Sequence, residues 1–459
     1  MLKAPSWLGG SAFALRSNTL EFYADCERRG GLVKTHVWRL PVYVVTDPQL
    51  IEEVLVRKHR SFMKSAGLRA TQRGFGQGLL TSDGKLWRQQ RRIMQPAFHA
   101  HRIERYQTAI EQATERLIAS MGIGGERNIH RDMTDLCFEA LTLSLFGQNM
   151  MRVRQLVAEA ADALHAFHEH YSQWIGSLGG LAFTVMRTIS TALGRPDFVI
   201  DPTILPTAYS RKFRDAVEAL DLVVTDLIRE RRQHAGDGND DLLELLVSAR
   251  DNTGRPLAER QIRDEIVTMF FAGHETGAAA LSWAFYLLAR HPEAADKAVR
   301  EWDAGDGGAF IDMVMREAMR LYPPAYRISR TVIETVKLGD VKIKAGAELV
   351  IPQWAIHRSP RYYVNPEVFR PERWSSESVA TLPHFAYLPF GGGPRTCIGN
   401  TFGMVENRSV VSRILRQFEF EAPRQAPALD LGVTLLPKNN TLKLNLTRRT
   451  RLHSHSNSR

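Results

Sequence analysis

Three stretches of this 459-residue chain hold residue types that carry chemistry. In "FGGGPRTCIG", residues 390–399, a cysteine follows three glycines, a proline and an arginine. A phosphate-binding loop would end in Gly-Lys-Ser/Thr, and a dinucleotide loop would need glycine where Thr396 stands, so neither glycine-rich reading fits. Where such a turn feeds a helix, free backbone N–H groups and the positive end of the helix dipole favour a thiolate over a thiol. That suits a nucleophile or a metal ligand. The alternative is a buried, inert cysteine beside a tight turn, since most free cysteines are core residues.

In "FFAGHETGAAALSW", His274, Glu275 and Thr276 interrupt an otherwise apolar helix between Gly273 and Gly277. A zinc-protease reading fails because the second histidine of H-E-x-x-H would be residue 278, which is alanine. Glycine plus a hydroxyl permits a local opening of the helical ladder, with room for water and a small ligand; a threonine bonding back to its own helix is the plainer alternative. In "REAMRLYPP", Glu317 and Arg320 stand three apart on one helical face, and "FRPERW" adds Arg373. The spacing permits one network of three charges.

Other elements must position these residues. Apolar steps of three and four predict a helix from about Leu257 to Ala289, about 50 Å long, as the spine of the molecule. Further helices are expected at about 310–322, over "GKLWRQQRRIM", and from Cys397 to about Phe418. Alternation in "THVWRLPVYVVTD" and "TVKLGDVKIKAGAELVIP" predicts short strands near both ends.

Composition narrows the function classes. With 44% hydrophobic and 24% charged residues the chain reads as an ordinary globular protein. Three cysteines, far apart and without C-x-x-C spacing, exclude a disulfide framework or structural zinc site and fit the reducing cytoplasm. Pro5, Gly9, Gly10 and Ser11 spoil the short apolar run behind Lys3, so no secretion signal is expected. The longest uncharged stretch, 171–186, falls short of the ~20 residues of a membrane span. The net charge of +10 is scattered, without a nucleic-acid-binding signature.

Taken together, the motifs resemble the haem-thiolate monooxygenases, the cytochromes P-450. The pattern Phe-x-x-Gly-x-Arg-x-Cys-x-Gly is matched by Phe390, Gly393, Arg395, Cys397 and Gly399. Glu317-x-x-Arg320, Arg373 in "PERW", Ala272-Gly273-His274-Glu275-Thr276 and Trp87-x-x-x-Arg91 match four further family motifs, and the resemblance spans about residues 20–446. One departure is the short Gly/Asp-rich connector "DAGDGGAF", where family members carry a longer segment.

The resemblance implies a mostly α fold with small β-sheets, a single domain over 1–446 and a disordered polar tail over 447–459. It implies haem b (iron protoporphyrin IX) between the central helix and the Cys397 loop, with the glycines letting the backbone pass close to the macrocycle. Cys397 would ligate the iron as a thiolate whose electron donation favours O–O cleavage. Arg395, Arg91, Arg330 and Trp87 would meet the propionates, and Glu317, Arg320 and Arg373 would hold the loop. Thr276 and Glu275 would deliver protons.

The implied reaction inserts one atom of O2 into an apolar small molecule, a terpenoid or fatty acid. Electrons would come from a ferredoxin or flavodoxin with its NAD(P)H-dependent reductase, as in soluble bacterial members of the family. Ala272, Ala325, Tyr326 and Leu435, with the loop 66–80 and the segment 165–210, are expected to line the pocket. Arg69, Arg73 and Arg327 are candidate cations for a substrate carboxylate. A haem-thiolate isomerase, dehydratase or peroxygenase would keep Cys397 without requiring the Glu275–Thr276 pair. A non-catalytic haem carrier or sensor would require neither an O2 site nor a substrate lid.

Overall fold

The computed structural model describes residues 2–3, 11–38, 40–148, 150, 153–163, 166, 185–186, 189–191, 193–195, 207–234, 241–438 and 441–450. Among them, the long helices are α1 (Thr19–Arg29), α2 (Gly84–Met94), α3 (Ala100–Met121), α4 (Ile129–Phe146), α5 (Ala208–Gln233), α6 (Glu259–Arg290), α7 (Pro292–Asp303), α8 (Ala309–Leu321) and α9 (Asn400–Leu415). Most of the segment 165–210, expected to line the pocket, falls outside the described residues.

The central helix α6 matches its expected span within two residues at the start and one at the end, because its interior is apolar on nearly every face; Ile262, Ile266, Phe270, Leu281, Trp283 and Phe285 are fully buried. A helix apolar all round belongs inside a large protein. It packs against α4, α8 and α9, which together with α3 build the main core. The helix is unbroken through Gly273–Gly277, so the expected opening is absent. Gly273 instead admits Leu141 of α4: a Cβ there would stand 2.7 Å from its Cδ1.

A six-stranded sheet has the order β1 (Leu2–Lys3), β2 (Leu32–Val37), β3 (Leu40–Val45), β9 (Glu348–Ile351), β6 (Ile328–Val332), β4 (Phe62–Lys64). Its β4–β6 edge is antiparallel and pairs Lys64 with Arg330. Strands β10 (Phe418–Glu421), β13 (Lys443–Arg448) and β5 (Gly124–Asn128) form a second sheet, and β7–β8 (Val336–Leu338, Val341–Ile343) and β11–β12 (Leu429–Leu431, Leu435–Pro437) are hairpins.

One expectation changes here. Order does not stop at residue 446: β13 runs to Arg448, which pairs with Phe418, and Arg449 donates to Leu415 O at 3.1 Å and to Asp296 at 2.8 Å. The short connector before α8 is firmly built. Asp306 accepts from the N–H groups of Gly308 (2.7 Å) and Phe310 (3.1 Å), and Gly308, at φ +85, leaves no room for a Cβ against Arg408 and Trp302.

Candidate functional site

The Cys397 loop is a closed turn set ahead of a helix. Cys397 N–H donates to Phe390 O at 2.9 Å and Thr396 N–H to Gly393 O at 3.0 Å, so the chain folds back on itself before α9 begins at Asn400. The helix therefore starts three residues later than expected, with Gly399 as its cap. The glycines serve packing within the protein. A Cβ at Gly393 would lie 2.1 Å from Leu55 O, and one at Gly392 would lie 2.4 Å from Phe385. Gly391 and Gly393 also take φ of +71 and +67, which disfavours side chains.

Cys397 is exposed, whereas Cys26 and Cys137 are buried. It is nevertheless crowded by protein, and desolvation pushes its thiol above the ordinary value against the opposing pull of the Gly399 N–H and Arg91.

Around this loop the structure gathers the expected cations. Arg91, from α2, donates to Thr396 O at 2.8 Å, and the Arg395 guanidinium lies 5.4 Å over the buried Trp87 ring. Arg330 reaches the same region from β6; burial and Arg395 lower it to about 10. Sequence reasoning missed two members. Asp83 pairs with Arg395 at 2.5 Å and accepts the Lys64 backbone N–H at 3.1 Å. Lys64 is buried beside Asp83, Arg395 and Arg330, and desolvation pulls it down to about 7. No spacing signal marks Lys64; only the β4–β6 register puts it next to Arg330.

The support beneath the loop is a saturated carboxylate. Glu317, fully buried, accepts from Arg320 Nε and Nη2, Arg373 Nε, Trp374 Nε1 and the Arg370 N–H, all at 2.9 Å. Arg320 in turn donates to the carbonyls of His357 (2.9 Å) and Pro366 (2.6 Å), and Arg373 to Val364 (3.1 Å). Trp374 packs on Tyr387 with ring centroids 4.2 Å apart, and the Tyr387 hydroxyl donates to Arg316 O at 3.0 Å. The network thus ties α8 to the segment that runs into Phe390.

On α6, Thr276 donates to Ala272 O at 2.8 Å, and Glu275 accepts from Thr434 at 2.5 Å. Both are half-buried, as are Ala272 and Ala325. Their neighbour Gly277 packs under α9: a Cβ there would stand 3.0 Å from Glu406 Oε2 and 3.3 Å from Cys137 Sγ. Glu406 is buried, and desolvation raises it to about 8. This contact links the helix of Thr276 to the helix that follows Cys397.

Other expected pocket residues and candidate cations are more deeply held. Tyr326 and Leu435 are core residues, 2% and 0% exposed; Tyr326 donates to Gly432 O at 3.3 Å and the Leu435 N–H to Pro324 O at 2.9 Å. Arg69 is buried and donates to Lys64 O at 3.0 Å, and Arg327 donates to the Tyr23 hydroxyl at 3.2 Å. The side chain of Arg73 lies outside the described residues. Two surface grooves, about 410 and 320 Å³, border Gly31 and Arg263 and do not touch Cys397.

A cytochrome P-450 family model matches residues 2–444. Cyclooctatin synthase of Streptomyces melanosporofaciens is 32% identical, over 87% of this chain and 85% of its own length. Cyclooctat-9-en-7-ol 5-monooxygenase of the same organism is 30% identical, over 88% and 86%. The crystal structure of the cytochrome P-450DA haem domain superposes with a TM-score of 0.78 at 25% identity, covering 98% of this chain and 97% of that one. A retinoic-acid-bound cyanobacterial structure reaches 0.81 at 22% identity, over 98% and 99%, a likeness of fold. The family match, the relatives and the shared fold show that the chain belongs to the cytochrome P-450 family and is a monooxygenase.

Proposed function

We propose that this monooxygenase binds haem b through Cys397 and oxygenates an apolar small molecule of the terpenoid class, with electrons from a separate ferredoxin or flavodoxin and its NAD(P)H-dependent reductase. The observation that carries the reading is the excess of cations beside an accessible cysteine. Lys64, Arg330 and Arg395 share one ion-paired carboxylate, Asp83. Cations outnumber the one carboxylate there, which suits the anionic propionates of the macrocycle. The donor set therefore fits the group.

Cys397 would hold the iron, and Arg91, Arg330, Arg395 and Trp87 the propionates. When bound, haem supplies O2 activation, assisted by electron donation from the thiolate. The protein's share is proton control. The Thr276 hydroxyl, released from Ala272 O, can donate to dioxygen or hold a water. Glu275 Oε1, which accepts from Thr434, can pass a proton from the side of the β11–β12 hairpin.

Arg88 and Arg92 of α2 are exposed four residues apart, and Arg105 is exposed on α3. A cationic surface of this kind steers an acidic carrier. No helix among the described residues is long and apolar enough to cross a membrane. The free cysteines support the cytoplasm.

The reading is tested by incubating the haem-loaded protein with ferredoxin, reductase, NADPH and isotopically heavy O2 across a panel of terpenoids. One heavy oxygen in the product is expected. Turnover without O2, or a rearranged product lacking the label, would place the protein with isomerases.

A further inference from the structure

We propose that Glu265 and Thr268 form a polar subsite that takes the hydroxyl group of an uncharged, otherwise apolar substrate, about 12 to 17 Å along α6 from Thr276. The inference rests on the monooxygenase reading above and narrows its substrate class.

Glu265 and Thr268 are each 1% exposed, within the apolar central helix. Glu265 Oε2 accepts the Leu79 N–H at 2.8 Å, but Oε1 has no hydrogen-bond partner among the described residues, and neither has Thr268 Oγ1. Ser144 of α4 and Ser409 of α9 likewise lack a partner among the described residues, but other helical hydroxyls are satisfied within their own helix. The helical hydroxyls of Thr114, Thr134, Thr276 and Ser282 all donate to the carbonyl four residues back. Leaving such groups unpaired in the interior costs stability unless a ligand or water completes them.

Their placement points toward the reaction centre. At 100° per residue, Glu265, Ala272 and Thr276 fall within about 40° of one another on α6, with Thr268 about 60° to one side of Glu265. Gly78 lets the loop backbone pack closely against Thr268, since a Cβ there would come within 2.2 Å of Oγ1.

The chemistry selects a neutral hydroxyl. Burial raises Glu265 to about 8, which keeps its free oxygen a donor near neutral pH, while Thr268 Oγ1 both accepts and donates. A hydroxyl can accept from the first and donate to the second. A carboxylate finds no free cation here. Lys64 Nζ is held by Leu79 O at 2.5 Å, Arg69 by Lys64 O, and Arg263 by Asp221, Asp264 and Gly74 O. Fatty acids are disfavoured on this ground.

The test titrates haem-loaded protein with matched alcohol, hydrocarbon and acid members of C10, C15 and C20 isoprenoid series, following the Soret difference spectrum. The alcohol should bind at least one pair about tenfold more tightly than the hydrocarbon and the acid. Thr268→Val and Glu265→Leu should each erase most of that preference while leaving hydrocarbon affinity within about twofold. Thr268→Val should also melt no lower than wild type, since an unpaired hydroxyl is replaced by a group of the same shape. No alcohol preference in any series, or equal losses for alcohol and hydrocarbon in both variants, overturns the subsite. Binding is read without turnover, so a failure of the monooxygenase reading would appear separately, as the absence of labelled product.

Discussion

The Thr276 hydroxyl donates to the carbonyl oxygen of Ala272, one turn back on the central helix, at 2.8 Å. To serve a reacting oxygen it must leave that partner, and the unbroken helix means that this movement is a side-chain rotation. Thr276→Ala removes one neutral hydrogen bond, about 0.5–1.5 kcal/mol, so melting should shift little. Coupling of nucleotide oxidation to product should instead fall steeply, since positioned proton transfer is worth about 10²–10⁴-fold, with electrons diverted to hydrogen peroxide. Product formed per NADPH consumed decides this. Unchanged coupling would mean that protons arrive by another route.

The Glu317 carboxylate is buried with five donors, so its loss leaves two guanidinium groups without their counter-ion. Breaking such a network costs about 3–5 kcal/mol. Glu317→Ala should therefore give little haem-loaded protein and a markedly lower melting temperature, and Glu317→Gln should recover part of both. Normal haem content and melting in Glu317→Ala would show that the Cys397 loop is held by other contacts.

Arg88 is exposed on α2, the helix that also carries Trp87 and Arg91. Reversing its charge with Arg88→Glu should slow reduction by an acidic ferredoxin severalfold at low salt. The difference should shrink as salt screens the encounter. Stopped-flow reduction rates across an ionic-strength series measure it. A rate indifferent to both charge and salt would move the docking face elsewhere.

Glu406 gives a pH signature. Burial between Cys137 and Gly277 raises its carboxyl from 4.5 to about 8, while the Cys137 thiol beside it is pushed well above its own ordinary value. Below about pH 4.5 the group is protonated in both folded and unfolded chains. Between 4.5 and 8 the unfolded carboxyl ionises while the folded one keeps its proton, so stability falls as pH rises, at up to about 1.4 kcal/mol per pH unit. Glu406→Gln removes this slope. Its melting temperature relative to wild type should rise from pH 5 to pH 8, and parallel melting curves for the two proteins would refute the assignment.

The legible parts of the sequence were those set by local periodicity. "GKLWRQQRRIM" coincides with α2, and the apolar steps before and after Thr276 fix α6 to within two residues, because burial on three- and four-residue steps is written along the chain. The start of α9 was misplaced because the Phe390–Cys397 backbone contact, which closes the turn, is not a periodic feature. Tertiary packing buries Tyr326 and Leu435 in the core, which no local pattern shows. Lys64 and Asp83 join the site through strand register and an ion pair 312 residues apart, Asp83 with Arg395, which no local pattern encodes.

The central claim is that Cys397 is the haem ligand, and the ferrous–carbonyl Soret band tests it most directly, since its red shift reports thiolate ligation. Wild-type protein and Cys26→Ser should show the red-shifted band, and Cys397→His should bind haem and lose it. A red-shifted band retained in Cys397→His would contradict the assignment.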